Sequence, residues 1–113
     1  MSDITIQKAA GTWTVRAGGA VLAESRNALQ LNEGDHPYVV YFPRGDVAMA
    51  FLDKTDHSSH CPKKGDASYY SIITKSTELA NAAWSYEDPF PGVAEIKDHL
   101  AFYASEFVTV ERV

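Results

Sequence analysis

ASYYSIITKSTELANAAWSY, residues 67–86, decides the fold. Its opening run, Ala67–Ile73, is rich in aromatic and β-branched side chains. Asn81–Tyr86 resumes the apolar content after the polar stretch TKSTEL. Two such runs across a polar connection form an antiparallel hairpin. Upstream, YVVYF (Tyr38–Phe42) is the strongest strand in the chain, and Pro43 ends it because proline has no N–H to offer a ladder. TWTVR (Thr12–Arg16) alternates, Gly18 and Gly19 suit the positive φ of a tight turn, and AVLAES (Ala20–Ser25) returns. ALQLNE (Ala28–Glu33) sets Leu29 and Leu31 on one face, and FVTVERV (Phe107–Val113) closes the chain as a strand.

Three segments break this pattern. DVAMAFL (Asp46–Leu52) reads as a short helical turn with Asp46 as N-cap, or as an irregular strand. The stretch from Asp53 to Asp66 has almost no apolar content and is expected to be a long polar loop, a length at which loops are often functional. After the breaker EDPFPG, the residues Val93, Ile96, Leu100 and Tyr103 share one helical face and predict the only helix. The expectation is a mainly β single domain over residues 1–113, with about seven strands and one α-helix in its C-terminal half.

Composition narrows the function classes. A chain of 113 residues can bury one core without disulfides or metal. The net charge of −5 is dispersed, which argues against general affinity for nucleic acid or anionic lipid. No run approaches the roughly 18 apolar residues of a membrane span. The opening MSDITIQKAAGTWTV has neither a basic nor an apolar signal region, and Cys61 is the single cysteine, so a cytoplasmic location is expected. There is no G-x-S-x-G, H-E-x-x-H or G-x-G-x-x-G motif.

The residues with chemistry concentrate in SSHCPKKGDASYY (Ser58–Tyr70) and YFPRGDV (Tyr41–Val47). His57, His60 and Cys61 are metal-ligand types, but His60 and Cys61 are adjacent and would point to opposite sides of an extended segment. No second ligand pair completes a site, so no metal and no cofactor is expected. Cys61 beside His60, Lys63 and Lys64 is a candidate thiolate nucleophile or redox thiol. Lys63, Lys64 and Gly65 offer cations and an approachable backbone N–H to an anion. Arg44 and Asp46 stand just past the strongest strand, where they can reach a cleft or simply pair with each other. Tyr69 and Trp84 lie on the strands nearest the polar stretch and can form the apolar side of a pocket.

The blocks YFPRGDV, HCPKKGDASYYSI and NAAWSYEDPFPGVAEIKDHLAFY, in that order, resemble the bacterial family called domain of unknown function 427, sometimes labelled nucleotidyltransferase-like. The resemblance runs from about Thr12 to the end of the chain. It implies a compact β-tent fold of two sheets with a late helix. The tent-like relatives usually hold zinc through two C-x-x-C pairs, which one cysteine cannot supply. No carboxylate pair or glycine-serine loop supports nucleotidyl transfer. The family pattern keeps Tyr41, Pro43, Arg44, Asp46 and Val47, then Cys61, Pro62, Lys64, Gly65, Ala67 and Tyr69, then Trp84 and Tyr86, then Ile96, Phe102 and Tyr103. Lys63 departs from it.

The leading expectation is one polar pocket where the Phe42–Val47 turn meets the Cys61–Gly65 loop. Arg44 and Lys64 neutralise a small anionic molecule, Asp46 orients Arg44 or accepts a ligand donor, Cys61 sits at the pocket wall, and Tyr69 with Trp84 form the apolar side. The alternatives are a small enzyme using Cys61 and an interaction module without catalysis. A second copy of the chain is a candidate partner; nucleic acid and membrane are not.

Overall fold

Consecutive residues of one strand pack into different cores. The computed structural model describes residues 3–113. Among these residues ten strands form three antiparallel sheets. The first joins β1 (Ile4–Lys8), β4 (Leu29–Glu33) and β5 (Val39–Tyr41) in the order β1-β4-β5. The second is β10 (Val108–Arg112), β2 (Trp13–Ala17) and β3 (Ala20–Ser25), in the order β10-β2-β3. The third runs β6 (Leu52–Cys61), β7 (Gly65–Ile73), β8 (Glu78–Ser85) and β9 (Ala101–Phe102). No helix among the described residues is long and apolar enough to cross a membrane.

The two-residue alternation of strands then sorts side chains. Val40 and Phe42 join a large core with Val15, Leu22, Tyr70, Ile72, Leu100 and Phe102. Tyr41 points the other way, into a smaller core with Leu31, Tyr69, Tyr86 and Ile96. Tyr69 and Tyr70 divide in the same manner, as do Ala101 and Phe102. The β2–β3 turn has positive φ at both Gly18 (56°) and Gly19 (80°), the hairpin geometry that matches strand twist.

Three expectations need correction. The expected mainly β class holds, but the described residues form ten strands in three sheets, not about seven in two. The helix does not form. Pro91–Ile96 is a run of 3-10 turns, kinked at Val93 (φ −129°, ψ 29°), and no side chain caps it. Asp98, at φ 62°, turns the chain out of it. Leu100 N–H then donates to the Phe42 carbonyl at 2.9 Å and Tyr103 N–H to the Ala82 carbonyl at 2.9 Å, bonds a helix could not make. The apolar spacing was real, since Val93, Ile96 and Leu100 are buried, but the three-residue step from Val93 to Ile96 also fits 3-10 turns, and Leu100 is held in the core by its bridge to Phe42. Asp46–Leu52 likewise supplies two short 3-10 turns, Arg44–Asp46 and Met49–Phe51, without a side-chain cap from Asp46.

The third correction concerns Asp53–Asp66. Most of it is β6, paired with β7 and irregular between Lys54 and Ser58. It is an edge strand, exposed along nearly its whole length, so neither face demands apolar residues. Charge and irregularity along such an edge discourage pairing with another chain.

Candidate functional site

Where β4 and β5 face β7 and β8, the smaller core opens into a hollow of about 350 Å3. β4 supplies Leu31 and Glu33, β5 supplies Val39 and Tyr41, β7 Tyr69, and β8 Trp84. Lys64 enters from the turn between β6 and β7. Its backbone N–H donates to the Cys61 carbonyl at 3.2 Å, and its carbonyl accepts from Phe90 N–H at 2.9 Å. Gly65 follows at φ 112°, and a Cβ there would lie 3.5 Å from the Asp88 carbonyl oxygen. The turn is therefore held from both sides and fixes the direction of Lys64.

The floor is aromatic. Trp84 Nε1 donates to Tyr41 Oη at 3.3 Å, with the rings edge to face. Tyr103 lies against Trp84, ring centroids 4.4 Å apart. Burial pushes the Tyr41 phenol up to about 12, and burial drives Tyr86 up as well. Burial and a hydrogen bond with Tyr69 raise Tyr103 to about 12. The phenols stay neutral at physiological pH and act as hydrogen-bonding groups, not as bases.

Charge enters at one place. Lys64 Nζ donates to Glu33 Oε1 at 3.0 Å, with their side chains 11% and 22% exposed. Lys63 Nζ lies 4.0 Å from Glu33 Oε2. Two ammonium groups thus face one carboxylate. The hydrogen bond from Lys64 holds Glu33 below the usual carboxylate range, against the effect of burial. Burial works against the Lys64 ammonium, but Glu33 and the Cys61 thiol outweigh it and raise its pKa. Lys64 also stands 5.9 Å from the centre of the Tyr86 ring.

Cys61 is half-buried beside Lys64, packed against the smaller core. Burial pushes its thiol up, yet the Lys63 and Lys64 N–H groups and the Lys64 side chain bring it below its ordinary value. His60 points away: its Nδ1 meets Asp66 Oδ1 at 2.6 Å at the surface. His57 packs edge-on against Tyr69. Among the described residues no three His, Cys, Asp or Glu side chains gather where they could hold a metal ion.

The structure brings Lys64, Tyr69 and Trp84 to one hollow, but not Arg44 or Asp46. Arg44 lies on the Tyr70 side of β7, where its guanidinium serves four acceptors. Nε donates to the Asp98 carbonyl at 3.0 Å and Nη1 to Tyr70 Oη at 3.2 Å. Nη2 donates to Ser85 Oγ at 3.3 Å and to Glu87 Oε2 at 3.2 Å. Lys54 and Tyr70 complete the Glu87 carboxylate at 2.8 and 2.7 Å. Asp46 accepts from Ser25 Oγ at 2.6 Å, lines a different hollow from that of Lys64, and is not paired with Arg44. The Phe42–Val47 turn and the Cys61–Gly65 turn therefore do not enclose a common pocket. Adjacent Tyr69 and Tyr70 explain why: consecutive strand residues serve opposite faces, and each cation follows one of them.

Glu33 is the site residue that motif reading passes over, although its position carries a signal. It continues the Leu29–Leu31 alternation, so a carboxylate falls where the strand pattern calls for an apolar side chain. A charge on that face requires a partner, and Lys64 is it.

No curated protein matches the chain. The family model described as Domain of unknown function (DUF427) matches residues 5–113, nearly the whole chain and every strand that builds the hollow, and the chain belongs to that family.

Proposed function

We propose that the chain binds a small anionic molecule in the hollow at Lys64. The observation that carries this reading is the convergence of Lys63 and Lys64 on one carboxylate, Glu33, at a tyrosine-lined cavity. An ammonium has three donors. Glu33 accepts one of them from Lys64, and a ligand oxygen in the hollow can take another. The cavity lies within the roughly 300–1,000 Å3 range of small-molecule sites, and its lining mixes apolar and aromatic surface with Glu33, His36, Lys64 and tyrosine hydroxyls. The lone cysteine and the family resemblance support a bacterial, cytoplasmic setting and a tent-like arrangement of the sheets.

The test is binding of small carboxylates and phosphates, followed by thermal shift against neutral analogues of the same size. Lys64→Gln is expected to weaken anion binding about tenfold or more, because charge-assisted hydrogen bonds are about twice as strong as neutral ones. Unchanged affinity in Lys64→Gln, or equal binding of neutral analogues, overturns the reading.

A second reading uses Cys61 as a nucleophile or redox thiol, favoured by the Lys64 ammonium and two backbone N–H groups around its sulfur. A lowered thiol pKa means more thiolate at pH 6.5 and faster alkylation. Iodoacetamide is expected to label Cys61 several-fold faster than a free cysteine at that pH, and Lys64→Gln is expected to slow it. A rate equal to that of the free amino acid removes this reading.

A further inference from the structure

We infer that the ligand is amphipathic, with its anionic head beside Lys64 and an apolar tail in a second hollow across Trp84. This inference rests on the anion-binding reading and extends it to a ligand class. The second hollow measures about 340 Å3, and it shares Pro37, Val39 and Trp84 with the first. The two are adjacent chambers with a common wall. Their chemistry differs. Glu33, His36 and Lys64 line the first, whereas no charged side chain lines the second. Trp13, Tyr38, Val40, Phe102 and Val110 form its surface.

The aromatic side chains around the wall are unusually exposed. Tyr38, on the second chamber, is 48% exposed, and Tyr103, on the first, is 49% exposed. Tyr38 stands edge-on to Trp13 with ring centroids 6.3 Å apart. Contiguous exposed apolar surface beside a polar anchor marks a binding groove. An anion that ended at Lys64 would leave it in water. A tail crossing Trp84 would cover it and gain affinity with every methylene buried. The head is a carboxylate or a phosphate, since both offer the oxygen acceptors that Lys64 can serve.

The experiment measures binding of acetate, hexanoate, decanoate, decyl phosphate and decanol to the full chain by calorimetry. Tryptophan fluorescence gives a second readout, because Trp84 and Trp13 line the proposed tail site. Affinity is expected to rise at least tenfold from hexanoate to decanoate. Ala104 is exposed on the rim of the second chamber, so A104W fills it without entering a core. A104W is expected to abolish the gain from chain length, so that decanoate binds no tighter than hexanoate. Lys64→Gln is expected to weaken both carboxylates and spare decanol. Tighter binding of decyl phosphate assigns the head as phosphate, and tighter decanoate assigns it as carboxylate; either supports the inference.

Equal affinity for hexanoate and decanoate overturns the tail site and leaves the anion site standing. Decanol binding as tightly as decanoate, indifferent to Lys64→Gln, overturns the anion site and the inference with it. No binding by any probe overturns both, and concentration-dependent dimerisation that A104W abolishes assigns the second hollow to another copy of the chain instead. Should A104W fail to fold, the chain-length series on the wild type decides alone.

Discussion

Arg44→Leu is expected to lower the free energy of unfolding by about 2–3 kcal/mol and to leave anion binding at Lys64 intact. The loss follows from what the guanidinium satisfies. Ser85 is fully buried, and Arg44 Nη2 donates to its Oγ. Glu87 would keep Lys54 and Tyr70 but lose its nearest-buried cation, and the Asp98 carbonyl would lose its side-chain donor. Breaking a fully buried pair costs about 3–5 kcal/mol. The Arg44 and Glu87 side chains are 31% and 29% exposed, so solvent screening brings the figure down. A shift of this size lowers the melting temperature by about 10 °C in a chain of this length. Chemical denaturation at pH 7 measures it, and a change within about 0.5 kcal/mol, typical of an unremarkable surface substitution, contradicts the assignment.

The same network sets an acid limit. Burial pushes Glu87 up, but hydrogen bonds from Lys54, Tyr70 and Ser68 overcome it and hold the carboxyl near 2, down from an ordinary 4.5. A group with a depressed folded pKa stabilises the native state above its unfolded value, and that contribution is lost as pH falls through the folded value. Stability is therefore expected to fall between about pH 4.5 and pH 2, and Glu87→Gln is expected to flatten that part of an acid-unfolding profile.

The division between Arg44 and Lys64 shows what a sequence can and cannot tell about this site. Both cations are visible as residues, and both stand at the ends of recognisable strands. Which face each serves depends on register in three dimensions. Tyr69 and Tyr70 are adjacent letters and opposite surfaces, and a strand buried on both faces offers no apolar-polar alternation to say which is which. Glu33 went unread although it sits on the apolar side of an alternating strand, because its meaning depends on a partner 31 residues away. β6 was hidden for the opposite reason: an edge strand exposed on both sides has nothing to bury and reads as loop. The false helix has a third cause. Val93, Ile96 and Leu100 are core residues, but Pro91, Gly92 and the pairing of Ala101–Phe102 with β8 leave the backbone better satisfied outside a helix. The hairpins, whose turns are encoded locally by glycines or polar residues, were the parts that the letters alone could specify.

Phe42→Ala is expected to cost about 3–5 kcal/mol, the largest loss of any single substitution considered for this chain. Phe42 has no exposed surface and stacks edge to face on Phe102, with centroids 5.9 Å apart. Its backbone N–H donates to the Leu100 carbonyl at 2.7 Å and its carbonyl accepts from Leu100 N–H at 2.9 Å. That isolated bridge fastens the end of β5 to the segment entering β9, and so ties the first sheet to the third. Removing the ring leaves those backbone bonds but opens a cavity in the large core, whereas Phe42→Leu, which keeps most of the volume, is expected to cost roughly 1 kcal/mol. A domain has about 5–15 kcal/mol of stability in all, so Phe42→Ala leaves the protein near its unfolding threshold. The variant then becomes a sensitive reporter of the site on the other face of β5, where Tyr41 lines the hollow. A ligand that binds only the native state adds about 2.7 kcal/mol at one hundred times its dissociation constant. Anion at one hundred times its dissociation constant is expected to restore most of the lost melting temperature in Phe42→Ala, and about half as much once Lys64→Gln has weakened binding tenfold. Rescue undiminished by the loss of Lys64 places the anion elsewhere on the protein.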